Sequence, residues 1–121
     1  MAEGHWNAIT DAELDIMKVL WKTGPSKSSV IFEAMQTNRS RLTGTSKTLL
    51  ARLVQKGLVK RDTLNSRMHI YSPAITEEEY IEKNRRWMIE KMFNGNAVEM
   101  LANLIEEEDI AVEDLHLLLN N

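Results

Sequence analysis

Thr43-Gly44-Thr45-Ser46-Lys47-Thr48-Leu49-Leu50-Ala51-Arg52-Leu53-Val54-Gln55-Lys56-Gly57, running directly into Leu58-Val59-Lys60-Arg61, is the stretch from which the fold is read. Leu49, Leu50, Leu53 and Val54 fall on one stripe of a 3.6-residue period, Thr43 is a candidate cap, and Gly57 closes the helix. Beyond the glycine, residues 58–61 and Arg67-Met68-His69-Ile70-Tyr71 alternate around the segment Asp62 to Ser66. With Asn65-Ser66 as the turn, this predicts a β-hairpin ending at Pro73. A helix handing over directly to a short basic ribbon fixes what must lie before it.

Upstream, Thr10-Asp11-Ala12-Glu13 reads as a capping box opening a helix whose apolar positions are Leu14, Ile16, Met17, Leu20 and Trp21. Gly24-Pro25 ends that helix, and Ser26 or Ser28 is placed to cap a second one carrying Val30, Ile31, Ala34 and Met35. The polar stretch Thr37 to Arg41 reads as a turn. Three short helices followed by a ribbon is the order of a winged helix-turn-helix, whose third helix enters a major groove. The expected fold is mainly α with a small β-hairpin wing, residues 1–74 forming a DNA-binding domain.

Downstream, Thr76 to Glu79 forms a second capping box for a helix reaching about Phe93 and stopped by Asn94-Gly95-Asn96. Two amphipathic helices follow, separated by the acidic run Glu106 to Asp109. So few residues make too small a core to stand alone. Residues 75–121 are therefore expected to be a C-terminal helical dimerisation region, with Tyr80, Met88, Met92, Leu101, Leu104, Ile105, Leu115 and Leu118 as its apolar contacts. The alternative is that methionines at this spacing simply fill a core.

A chain of 121 residues, 43% hydrophobic and 27% charged, has ordinary globular composition and excludes a large multidomain enzyme. The absence of cysteine removes disulfides, thiol nucleophiles and cysteine-held metals. No apolar run is long enough for a membrane span and no leader opens the chain, so a cytoplasmic protein is expected. The net charge of −3 conceals a separation of signs: Lys22 to Tyr71 holds ten basic residues against two acidic ones, +8, whereas residues 76–121 sum to −8. The basic block is the footprint expected of a surface that meets phosphate, or else of two ordinary solvated faces.

On the third helix, Thr48, Ala51, Arg52 and Gln55 lie opposite the leucine stripe. Arg52 suits a guanine edge or a phosphate, Thr48 a thymine methyl or base edge, and Ala51 permits close approach. Arg41, Thr43, Thr45, Ser46 and Lys47 surround the helix start and suit phosphates. Arg61 and Arg67 flank the ribbon turn, where they either straddle a DNA backbone or protect a sheet edge with charge. His5, His69 and His116 are widely separated and lack partners at ligand spacing, so a histidine metal site requires tertiary proximity. No catalytic constellation and no phosphate-cradling glycine loop is present, and no cofactor is expected. Two rivals remain open from composition alone: a winged-helix protein–protein adaptor, and a metal-responsive regulator using histidines.

Ile9-Thr10, Glu13, Met17, Leu20 and Trp21, then Lys47-Thr48-Leu49-Leu50-Ala51-Arg52-Leu53-Val54 with Lys56-Gly57, then Ile70-Tyr71-Ser72-Pro73, resemble the penicillinase repressor family of BlaI, MecI and CopY type. The resemblance implies a homodimeric transcription repressor that reads an inverted repeat in duplex DNA. By position, Thr48 and Arg52 match the family's groove-facing residues. The resemblance also implies a regulatory protease as a partner, with Asn103-Leu104 at the place of the family's Asn-Phe cleavage site; the alternative is an exposed asparagine beside a core leucine. The cysteine-rich metal hook of the copper-responsive members has no counterpart in the residues through Asn121. Before the third helix, Asn38 to Gly44 lacks the family's tryptophan.

Overall fold

The computed structural model describes residues 9–37, 43–65 and 67–120. Its elements are α1 (Asp11–Thr23), α2 (Ser28–Thr37), α3 (Thr43–Gln55), β1 (Val59–Asn65), β2 (Met68–Pro73), α4 (Glu77–Met92), α5 (Ala97–Glu107) and α6 (Val112–Leu119). The chain divides into two compact units, Met1–Ile81 and Glu82–Asn121.

The first unit is a winged helix-turn-helix. Its core is built from Ile16, Met17, Val19 and Leu20 of α1, Ile31 and Met35 of α2, Leu49, Leu50 and Leu53 of α3, and Leu58 and Val59 where the wing begins. Thr10 Oγ1 accepts from the Glu13 amide at 3.1 Å, and the Glu13 carboxylate accepts from the Thr10 amide at 2.9 Å, completing the expected capping box. The same carboxylate, 1% exposed, also takes the Lys56 ammonium at 2.7 Å, so the first turn of α1 is tied to the residue that follows α3. Burial pushes the Glu13 carboxyl up. The Lys56 and Thr10 hydrogen bonds, with the charges of Lys56 and Arg52, outweigh burial and hold it below the ordinary carboxylate value.

α3 ends in a Schellman motif. The Gly57 amide donates to the Val54 carbonyl at 3.0 Å and the Leu58 amide to the Leu53 carbonyl at 3.0 Å, with Leu53 and Leu58 both buried. Gly57 has φ +80°, the left-handed backbone that turns the chain from α3 into the wing.

The hairpin is longer than its alternation predicted. β1 continues through Asp62 to Asn65, pairing antiparallel with β2 from Val59↔Pro73 to Asn65↔Met68, with a register shift between Thr63 and Asn65. Asn65 Oδ1 accepts from the Arg67 amide at 2.9 Å across the turn. Ser26 does not cap α2. It forms a β-bridge, exchanging both backbone hydrogen bonds with Tyr71 at 2.9 and 2.8 Å, so β2 lies between β1 and the α1–α2 connection. The indole of Trp21 donates to the Ile75 carbonyl at 2.9 Å and its ring lies 5.5 Å from that of Tyr80, which joins the first turn of α4 to this unit. The division after Ile81, within α4 rather than at residue 74, follows from these contacts.

The second unit contains the rest of α4, with α5 and α6. The second capping box, Thr76 with Glu79 at 3.0 Å in each direction, opens α4 while the chain is still in the first unit; in the second, Asn96 Oδ1 caps α5 by accepting from the Glu99 amide. None of these three helices has a buried residue. Among the described residues no helix is long and apolar enough to cross a membrane.

Two expectations concern stability. Glu13 is a weaker base in the folded chain than in the unfolded one, so its contribution is complete above the ordinary carboxylate pKa of 4.5 and is lost as pH falls through its lower folded value. The thermal midpoint of the wild-type protein is expected to fall more steeply below about pH 4.5 than that of Glu13→Gln, as followed by circular dichroism. Gly57→Ala meets open space, so its cost is that of the left-handed backbone alone, about 1–2 kcal/mol by denaturant titration.

Candidate nucleic-acid interface

Helix α3 presents two faces set by its spacing. Ser46, Leu49, Leu50 and Leu53 point inward, while Lys47, Thr48, Ala51, Arg52 and Gln55 are exposed. Arg61 of β1 shares its strand face with the buried Val59, and it borders a shallow groove with Thr48, Ala51, Arg52, Val54 and Gln55. Recognition helix and wing thus combine two guanidinium groups, a hydroxyl and a small residue in one concave strip. This strip can hydrogen-bond base edges and phosphates together.

The expected contact residues separate on this geometry. Thr48, Arg52 and Arg61 line the groove, Lys47 is exposed on the same helix, and Arg67 is exposed in the turn of the wing. Ser46 is corrected: it is 1% exposed and its side chain is enclosed by the core. Its position three residues before Leu49 and four before Leu50 is the spacing signal that places it on the inner stripe. Arg41 lies outside the described residues, and of Thr43 and Thr45 only the helical backbone is described.

Not every cation of the basic block serves the surface. Lys56 is itself exposed but its ammonium is engaged by Glu13; Lys47, Lys60, Arg61 and Arg67 are exposed as well. Tyr71, a residue whose functional place alternation alone missed, anchors the ribbon between β1 and Ser26 and packs against the core. Arg61 is the residue of β1 that pairs with it.

Of the histidines, His5 lies outside the described residues, His116 is exposed on α6, and His69 Nδ1 lies 3.0 Å from Thr63 Oγ1 on the wing. Among the described residues no three histidine, aspartate or glutamate side chains are grouped to hold a metal ion.

In the second unit, Met88, Met92, Leu101, Leu104 and Leu118 are exposed, Leu118 by 71%, and Ile105 and Leu115 are half-buried. Tyr80 differs from these, because its ring covers Trp21 within the first unit. Asn103 and Leu104 lie inside α5 rather than in a loop.

The penicillinase repressor family model matches residues 9–121. The penicillinase repressor of Bacillus licheniformis is 29% identical over 108 residues, covering 89% of this chain and 84% of that protein. The methicillin resistance regulatory protein MecI of Mammaliicoccus sciuri is 28% identical over 112 residues, covering 93% and 90%. The solution structure of the DNA-binding domain of the repressor BlaI superposes with a TM-score of 0.54 at 32% identity, over 60% of this chain and 88% of that domain. Sequence likeness running through both units, and a wing and recognition helix shared with a solved repressor domain, place this chain in the penicillinase repressor family.

Proposed function

We propose that the protein is a homodimeric transcriptional repressor that binds an inverted-repeat operator through α3 and the wing and acts by occupying the promoter. The observation that carries this reading is the groove in which Thr48 and Arg52 of α3 meet Arg61 of the wing. α3 enters the major groove, Arg52 donates to base edges, Thr48 touches its neighbour, and Ala51 lets the helix axis approach. Arg61 and Arg67 grip the backbone alongside, and Lys47 adds a phosphate contact near the helix start. No reaction is catalysed; binding free energy comes chiefly from released counterions, and discrimination from the base contacts.

The dimer reading rests on the second unit. Three helices without a buried residue, yet carrying exposed Val98, Leu101, Leu104, Leu117, Leu118 and Leu119, have apolar surface to cover and no core of their own. A second copy supplies that cover and sets two α3 helices about 34–36 Å apart for successive major grooves. The −8 balance of residues 76–121 keeps this part away from the duplex. Regulated scission at Asn103–Leu104 belongs to the same reading and requires α5 to unwind locally before a protease can reach the bond.

Two measurements test it. In mobility-shift titrations on a duplex selected from a random pool, Arg52→Ala is expected to lose about 1–3 kcal/mol on the selected site and much less on unrelated DNA. Equal loss on both duplexes reduces Arg52 to a phosphate clamp, and no shift by the wild type at any salt concentration overturns DNA binding. Leu101→Asp or Leu118→Asp is expected to convert a dimer to a monomer in sedimentation and to abolish the selected-site shift at nanomolar protein; a wild-type monomer refutes the dimer.

A further inference from the structure

Leu64 stands out on the wing. It is 63% exposed in a ribbon whose other exposed residues, Lys60, Arg61, Asp62, Thr63, Asn65 and Arg67, are all polar. It is also the residue that the register skips: Thr63 pairs with His69 and Asn65 with Met68, leaving Leu64 opposite no residue of β2. A bulge of this kind bends the strand and re-aims a side chain that the regular pleat would have placed elsewhere. Edge protection does not account for it, because edges are blunted with charge, proline or polar residues rather than with a bare leucine.

We infer that Leu64 is an apolar wedge that the wing presses into the minor groove flanking the α3 contact, so that the protein reads the deformability of a base step it does not hydrogen-bond. The inference rests on the DNA-binding reading above. Placement favours it. Arg61 borders the α3 groove, and at about 3.3 Å per strand residue Leu64 stands about 10 Å further along the ribbon, enough to pass a phosphate ridge. The neighbouring minor groove is only about 6 Å wide, a width that admits a hairpin tip by its side chains and not by its backbone. Leucine is among the side chains that unstack base steps from the minor groove, and a flanking guanidinium such as Arg67 is drawn to the strong negative potential of a narrow A·T-rich groove. The step most easily opened is a pyrimidine–purine step, TA before all, so specificity is expected at a position outside the bases that α3 touches.

The test uses the full chain and a duplex selected by binding from a random pool. The selected core is held fixed, and the step facing the wing is varied between TA and stiffer steps. The wild type is expected to bind the TA-flanked duplex about tenfold more tightly than stiff-flanked ones, and Leu64→Ser to reduce that ratio to about one while keeping its discrimination against core mismatches. A 2-aminopurine placed at the flanking step is expected to brighten when the wild type binds and to stay dark with Leu64→Ser, a response that a merely structural residue would not produce. Circular dichroism of Leu64→Ser checks that the exposed substitution leaves the fold intact, and Leu64→Met, which keeps an apolar tip, is expected to restore most of the preference. An unchanged flank preference, or equal fluorescence with both proteins, overturns the wedge while leaving DNA binding standing. A wild type that shifts no duplex overturns both.

Discussion

A carboxylate taken out of water at the start of α1 organises the first unit. Glu13 satisfies the Thr10 amide as part of its own helix cap and then accepts the Lys56 ammonium, joining the beginning of one helix to the end of another. Removing one partner of such a pair leaves a buried charge without compensation, which makes the geometry of the pair hard to vary. Three constraints therefore meet within a few ångströms: where α1 starts, where α3 stops, and where Gly57 turns the chain into the wing. The outer face of α3 is positioned as a consequence of contacts made on its inner side.

The wing depends on that junction and on a second one. Tyr71 exchanges both of its backbone hydrogen bonds with Ser26 in the α1–α2 connection, while its strand pairs on the other side with β1. A two-stranded ribbon alone is marginal in water; here the bridge and the packing of Tyr71 on the core make it part of the sheet and helix assembly. With its base held at both edges, the ribbon carries Arg61 to the border of the α3 groove. The fold therefore brings the backbones that carry two guanidinium groups, one from α3 and one from the wing, to a single groove.

Local signals in the sequence were the dependable ones. Both capping boxes, the leucine stripe of α3, the glycine after it and the existence of a hairpin are each dictated by residues a few positions apart, and each is present. What escaped was non-local or irregular. The Glu13–Lys56 pair joins residues 43 apart, and the Ser26 bridge is a single residue with no strand pattern around it. The bulge hid the length of β1, since skipping one residue breaks the alternation that marks a strand. On α3, the exposure of Thr48 and Arg52 and the burial of Ser46 follow from the helical period, whereas the nearness of Arg61 to that face is set by how the wing packs and has no local signal. Helical spacing likewise does not reveal the ring contact that Tyr80 makes with Trp21.

The absence of buried residues in α4, α5 and α6 has a consequence for how the molecule behaves in bulk. In the dimer proposed above, helices that complete their interior only with a twin would owe their order to mass action, so dilution would loosen them and crowding into a small volume would firm them up. On that proposal copy number would itself be a structural variable: halving the number of molecules would lower not only occupancy on a target but also the share of chains with a finished tail.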